Sequence, residues 1–512
     1  LTLVRSTRVR DALAGALAAG LALGVAELIA GLFSAAPSLI EALGTWVINH
    51  VPSQVKEWAI SLFGTNDKLV LLISIVVVTI LIGAVVGLFS RNRFWLAIVA
   101  FAGFGLVASA AAISDPQVSF IAALLAAGIA VLVGLATLRM LYRLGEPSAE
   151  PVSDSSRRSF LIGAGAVLGI AALAAGFGRV LMERAKLAVS GRDEVVLPSA
   201  AKPLPQAPAA ASFQVQGLSP ILVPNDDFYR IDTALSVPLI DLQEWTLSIT
   251  GMVDRPYTIT YPDLLDMSMI ERDVTLSCVS NEVGGRLVGN ARWLGVPLKE
   301  ILDRAGVADG AQQVVGRSVD DFTVGFPVEA VYDGRESMVA VGMNGEPLPF
   351  EHGFPARLVV AGLYGYVSAT KWVSEIELTT WDGFDAYWVP RGWAKEAPIK
   401  TQSRIDTPKA LESLPPGSHT VAGVAWAPSR GISKVEVQLG ENAPWVEAEL
   451  SEALSDNAWV QWRVDWEASD SGRYVLTCRA TDGDGNLQTE AVHRPAPDGA
   501  TGWHSKTVLI EA

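Results

Sequence analysis

Five stretches in the first 182 residues are apolar over about 20 positions each, roughly 11–33, 69–89, 94–113, 118–138 and 160–180. A helix of about 20 apolar residues is the length that crosses a hydrocarbon layer, and one soluble core cannot absorb five of them. The charge divides the chain at the same place. Residues 1–182 carry a net +3 and the remaining 330 a net −18. This excludes a soluble single-domain protein and a disordered chain. An acidic surface without a basic run also excludes a nucleic-acid partner, because a phosphate backbone needs Lys/Arg neutralisation.

The pattern therefore predicts a membrane domain over 1–182 with about five transmembrane helices in a lipid bilayer. Arginines 5, 8 and 10 precede the first span, Arg91 and Arg93 separate the second and third, and Arg139, Arg143, Arg157 and Arg158 separate the fourth and fifth. The loop with Lys56 and Lys68 and the loop Ser114–Gln117 hold less positive charge. Basic loops stay cytoplasmic, so the N-terminus is expected in the cytoplasm and everything after Gly178 on the periplasmic or extracellular side. Ser156-Arg157-Arg158-Ser159-Phe160-Leu161 before an Ala/Gly-rich run also reads as an internal twin-arginine export signal. Glu27 in the first span is either a functional charge or a packed, snorkelling one. Residues 37–63 are too polar to span; Pro52 divides them into two short amphipathic helices expected at the interface. His50 has no second histidine among the spans, which leaves a bis-histidine haem unsupported.

Residues 183–212 contain PSAAKPLPQAPAAA, a Pro/Ala-rich linker expected to be extended and unstructured. Over 213–400 strand and helix signals alternate: WTLSITGMV is strand-like, LKEILDRA has helical spacing closed by Gly306, and ARLVVAG is a buried strand entering a glycine-rich loop. This predicts an α+β domain. Residues 401–512 carry short alternating strands (HTVAGVAWA, ISKVEVQLG, WVQWRVDW, GRYVLTCRAT, SKTVLIEA), the grammar of a β-sandwich.

The chain has two cysteines, too few for a disulfide framework or a four-cysteine zinc site. Cys478 sits on an alternating strand and reads as core. Cys278 ends a strand-like run and opens a Gly/Asn-rich loop in DVTLSCVSNEVGG. An inert core thiol, a metal ligand and a nucleophile all fit that placement; a nucleophile needs a histidine within reach, whereas a metal ligand can share its ion with an organic cofactor. His352 and Arg357 flank a tight turn in HGFPAR, followed by Gly362, Gly365 and Lys371-Trp372. Arginine's planar fork suits a phosphate, and Lys371 adds positive charge to an acidic domain.

These residues in this order resemble the sulfite oxidase family of molybdopterin-dependent oxidoreductases. The resemblance covers roughly 220–512 and runs through Phe228-Tyr229-Arg230, WTLSITGMV, TLSCVSN, RWLGVPL, MNGEPLPFEHGFPARLVVAGLYG, KWVSEIEL and the late strands. It implies an α+β molybdopterin domain over 213–400, an immunoglobulin-like β-sandwich over 401–512, and molybdenum with molybdopterin as cofactor. By resemblance Cys278 binds molybdenum through sulfur; Phe228, Tyr229, Asn281, His352, Arg357 and Lys371 are the cofactor-binding set; Arg230 and Phe322 join Cys278 at the reacting face. The sandwich mediates homo-oligomers in several relatives. Sulfite-oxidising members carry a tyrosine where this chain has Phe322, and an Arg-Asn-His where it reads Arg230-Ile231-Asp232. An anion in place of that cation is expected to repel sulfite, unless Arg230, Arg286 or Arg292 compensates.

The expected function is two-electron oxygen-atom transfer on a small extracytoplasmic substrate, sulfite or a sulfoxide among the candidates. Electrons would pass through a separate electron-transfer protein or a quinone, since the chain shows no second redox motif. The alternatives are a non-catalytic membrane docking protein with a degenerate cofactor domain and a partner-binding sandwich, and a cysteine-nucleophile hydrolase.

Overall fold

The computed structural model describes residues 2–33, 36–63, 66–113, 118–145, 155–238 and 240–511. The loop Ser114–Gln117 and the side chains of Arg5, Ser156 and Arg157 lie outside the described residues. The chain divides into two compact units, Leu1–Ser190 with Ala234–Leu239, and Gly191–Thr233 with Ile240–Ala512.

The first unit is helical. Among the described residues, five helices are long and apolar enough to cross a membrane: Thr7–Leu32, Asp67–Ser90, Trp95–Ile113, Phe120–Leu144 and Arg158–Ala185. Glycines let their backbones touch, as apolar helices without a hydrophobic driving force require. A Cβ at Gly15 would lie 2.0 Å from the Gly83 carbonyl oxygen, and one at Gly31 2.4 Å from that of Gly178. The amphipathic pair forms as Leu39–His50 and Ser53–Phe63, broken at Val51-Pro52, with Ser38 capping the first. Glu27 is buried and accepts a 2.7 Å hydrogen bond from Ser38, while Arg179 lies 3.4 Å from Glu27 and 2.8 Å from Glu41. This charge thus ties helices together. His50 stacks on Trp46 and bonds its carbonyl, which makes it a helix-end residue.

Among the described residues, the second unit carries four sheets. In the first, the strands run in the order Tyr257–Thr260, Thr246–Gly251, Val373–Thr379, Gln313–Ser318, Thr323–Pro327. The second joins Ile270–Ser277, Val288–Pro297 and Ser337–Met343, with Glu346–Pro347 and Arg357–Val360 both pairing the last of these. Short helices connect them; Leu298–Ala305 buries Leu298, Ile301, Leu302 and Ala305 at helical spacing and stops at Gly306, whose φ is +70°. The α+β architecture matches the expectation. Beyond residue 401 two further sheets form, one centred on Gly417–Trp426 and Val460–Ala468, the other on Ile432–Leu439, Gly472–Asp482 and His504–Ile510. Trp462 and Val464 from the former and Val437, Leu476 and Val508 from the latter share one core. Cys478 is fully buried there, as expected.

The Pro/Ala-rich segment departs from its composition. The last helix of the first unit continues to Ser190, and the chain from 191 to 213 is extended but fastened. Arg192 donates to the carbonyls of Pro347 and Leu348, Ala201 N–H to Met269, Leu204 N–H to Glu271, and Phe213 N–H to Gln461, while Ala210 accepts from Glu452 N–H. Prolines cannot donate, but the carbonyls and N–H groups between them find partners on the domain surface. The unstructured linker is therefore corrected to a strap.

Candidate active site

Cys278 owes its position to sheet register. The strands Ile270–Ser277 and Val288–Pro297 pair as far as Ser277 opposite Val288, leaving residues 278–287 as a closed loop. Cys278 N–H bonds the Leu287 carbonyl at 2.9 Å, Asn281 N–H bonds the Cys278 carbonyl at 3.1 Å, and the Asn281 side-chain oxygen accepts from Leu287 N–H at 2.8 Å. The loop therefore has little freedom, and its first side chain faces a cavity instead of the sheet core. Phe228, Tyr229, Asp232, Phe322, His352, Arg357 and Lys371 line the same cavity.

The other walls come from strand ends of both sheets. Phe322 sits in the turn between Gln313–Ser318 and Thr323–Pro327, and Lys371 precedes Val373–Thr379. His352 ends a short 3-10 turn, Phe350–His352, and Arg357 begins its strand. Gly353 joins them at φ +108°, where a Cβ would approach the Lys371 Cα to 3.0 Å and the Arg357 Cβ to 3.1 Å. Only glycine allows that turn to draw the two cations together. Phe228 is held edge-on by Trp293 and His352 and stacks on Tyr229.

The charges are distributed unequally. Arg357 is buried and spends two of its N–H groups on the carbonyls of His352 (3.0 Å) and Leu358 (3.3 Å). Its guanidinium lies over the Trp293 ring. It has no carboxylate partner among the described residues, and burial holds its pKa down to about 10. A buried cation with three unspent donors suits an anion. Lys371, also buried, has its pKa lowered to about 8 by burial, which the Asp232 carboxylate at 3.0 Å opposes. His352 is pushed down to about 3 by burial and by Lys371 and Arg357, so its ring is neutral; its Nε2 lies 3.2 Å from the Asn225 carbonyl.

Burial pushes the Cys278 thiol up, against bonds from Ser280 and the charge of Lys371. A buried thiol without a bonded histidine base is a poor nucleophile. No group of three or more His, Cys, Asp or Glu side chains among the described residues could hold a metal alone. The inert-core and nucleophile readings both lose support. A single soft sulfur, an unsatisfied guanidinium and an apolar wall fit a metal whose remaining ligands come from an anionic organic cofactor.

Not every residue singled out from the sequence reaches the cavity. Asn281 closes the cysteine loop and is a positioning residue. Arg230 lies on the exposed side of its segment and bonds Asp232 at 2.9 Å. Arg292 is committed to Asp273 and the Pro205 carbonyl, and neither Arg292 nor exposed Arg286 is in the cavity wall, so neither compensates there. Asp232 is tied to Lys371 and Arg230, so its anion neutralises cations that the site would otherwise offer to sulfite. Missing from the sequence reading were Asp320, Tyr366, Trp388 and Trp393, which also line the cavity. Asp320 lies two residues before Phe322, and its carboxyl pKa is raised, chiefly by burial. The Trp-rich segment 381–393 was the available signal for the two tryptophans.

Such a cavity, with one sulfur and a buried guanidinium in its wall, suits a molybdopterin-binding domain. Residues 234–388 match the family model described as "Oxidoreductase molybdopterin binding domain". The globular unit is similar to the sulfite oxidase family. Mitochondrial sulfite oxidase of Mus musculus is 26% identical over 340 residues, covering 57% of this chain and 60% of that protein. The NADH nitrate reductase of Brassica napus is 28% identical over 297 residues, covering 46% and 32%. The chain thus spans about three fifths of the length of the mouse relative. Among solved structures, the sulfane dehydrogenase SoxCD from Paracoccus pantotrophus aligns with a TM-score of 0.49 at 22% identity, over 62% of this chain and 92% of that one.

Proposed function

We propose that the chain is a membrane-anchored molybdopterin-dependent oxidoreductase that carries out two-electron oxygen-atom transfer on a small substrate outside the cytoplasm. The observation that carries this reading is the Cys278 sulfur in the wall of one cavity with His352, Arg357 and Lys371. When bound, the molybdenum–pterin group supplies the two-electron redox and oxygen-transfer chemistry. The chain's own residues do the rest. Cys278 would offer the protein's sulfur ligand to the metal. Arg357, with three unspent N–H donors, would hold a phosphate of the cofactor. Neutral His352 and the Phe228 and Tyr229 rings shape the pterin side of the cavity, and the Tyr229 hydroxyl, with no protein partner among the described residues, can donate a hydrogen bond there. Trp388, Trp393 and Tyr366 shield the reacting face from water.

Five spanning helices and the basic loops between them support anchoring with the globular unit outside. The double arginine before the last span supports export by the twin-arginine route, and the strands beyond 401 support an immunoglobulin-like sandwich with a docking or dimer-forming role. Electrons then pass to or from a separate protein or a quinone. The docking-protein alternative is not favoured, because the cavity retains its sulfur and its buried cations.

The test is metal content. Chain purified from its own membranes is expected to hold one molybdenum, and Cys278→Ser to lose molybdenum or turnover while the globular unit stays folded. Full turnover in that variant defeats the ligand assignment.

A further inference from the structure

The cavity holds a second message in its charge pairing, and it bears on the substrate of the site proposed above. Three cations lie in or beside it. Arg357 alone is free of carboxylates among the described residues, and its unspent donors would serve the cofactor's phosphate. The other two converge on one carboxylate oxygen: Asp232 Oδ2 lies 3.0 Å from Lys371 Nζ and 2.9 Å from Arg230 Nε. The Asp232 side chain is 6% exposed and the Lys371 side chain 9%, so water does not screen the pair. A second carboxyl, Asp320, stands in the same wall. The remaining reacting face is apolar and aromatic. Phe322 packs on Tyr387, Trp388 on Trp393 and Trp393 on Tyr366, whose hydroxyl is spent on the Ala394 carbonyl. An oxyanion entering here meets paired cations, two acidic groups and indole faces. An uncharged molecule with a polar oxygen and apolar flanks loses little on entry.

We infer that Asp232 is a specificity-determining residue: as a built-in counter-anion for Arg230 and Lys371, it makes the site select an uncharged organic oxo compound with apolar substituents, or its reduced partner, over an oxyanion. The inference rests on the proposed function, and the experiment separates the two. Binding of methyl phenyl sulfoxide and of sulfate is measured by calorimetry on the molybdenum-loaded full chain, wild type and Asp232→Asn. The wild type is expected to bind the sulfoxide more tightly than sulfate. The isosteric variant, which releases two cations, is expected to gain about tenfold or more in sulfate affinity with little change for the sulfoxide. Equal molybdenum content with unchanged sulfate affinity overturns the inference and leaves the function standing. Absence of molybdenum from the wild type instead removes the function itself. If the variant fails to fold or to retain metal, the wild-type order decides, and sulfate binding more tightly than the sulfoxide overturns the inference.

Discussion

At the scale of single residues, the site depends on positions where geometry and charge coincide. Gly353 is the sharpest. Alanine there meets an unfavourable φ of +108° and backbone and side-chain atoms 3.0–3.1 Å away, at a cost of about 1–3 kcal/mol. Because those atoms belong to Lys371 and Arg357, Gly353→Ala is expected to lower molybdenum content more than overall helix and strand content; metal analysis beside circular dichroism checks this. HGFPAR made His352 and Arg357 legible in the sequence, since a histidine and an arginine around a tight turn are local. Asp232's charge was legible as well, but its pairing was not. Its partner Lys371 is 139 residues away, and no local pattern states that two cations share one carboxylate oxygen.

At the scale of elements, two segments behave differently from their composition. The Pro/Ala strap looks like a flexible spacer, yet it is bonded along its length to strands and loops of the globular unit. Limited proteolysis of the native chain is expected to spare residues 198–211, and rapid cutting there would show the strap to be loose. The cysteine loop is Gly/Asn-rich in sequence and is closed by Asn281. Asn281→Ala leaves Leu287 N–H without its side-chain acceptor, costs about 1–3 kcal/mol, and is expected to reduce molybdenum retention without removing any cavity-lining atom. Wild-type metal content in that variant would argue that the loop is held by its backbone alone.

At the scale of the globular unit, the late sheets brace the site. Arg404, beside Asp406, donates to the Gly285 carbonyl at 2.8 Å, and the His504 ring fills the space where a Cβ of Gly284 would lie. His504 is depressed to about 4, chiefly by burial, and His352 to about 3. The unfolded chain takes up these protons near pH 6.5, before the folded one does. Stability is therefore full above that pH and is lost as pH falls toward about 4, by up to about 3 kcal/mol for His504. Thermal unfolding of the purified chain should show a midpoint falling over that interval, and His504→Gln should flatten the fall; an unchanged midpoint from pH 7 to 4 would contradict it.

Local chemistry in the sequence was sufficient for the five apolar spans, the alternating strands, the helix stop at Gly306 and the cysteine at a strand end, because each is set by spacing within a few residues. The tertiary structure alone decided which of the candidate residues meet. Cys278, Arg357, Lys371 and Asp232 come from separate segments that the fold brings around one cavity, and Asn281 and Arg292 are committed to other partners. A linear pattern reports the charge a residue carries; the partner that neutralises it is chosen by the fold, through distances that sequence separation does not encode.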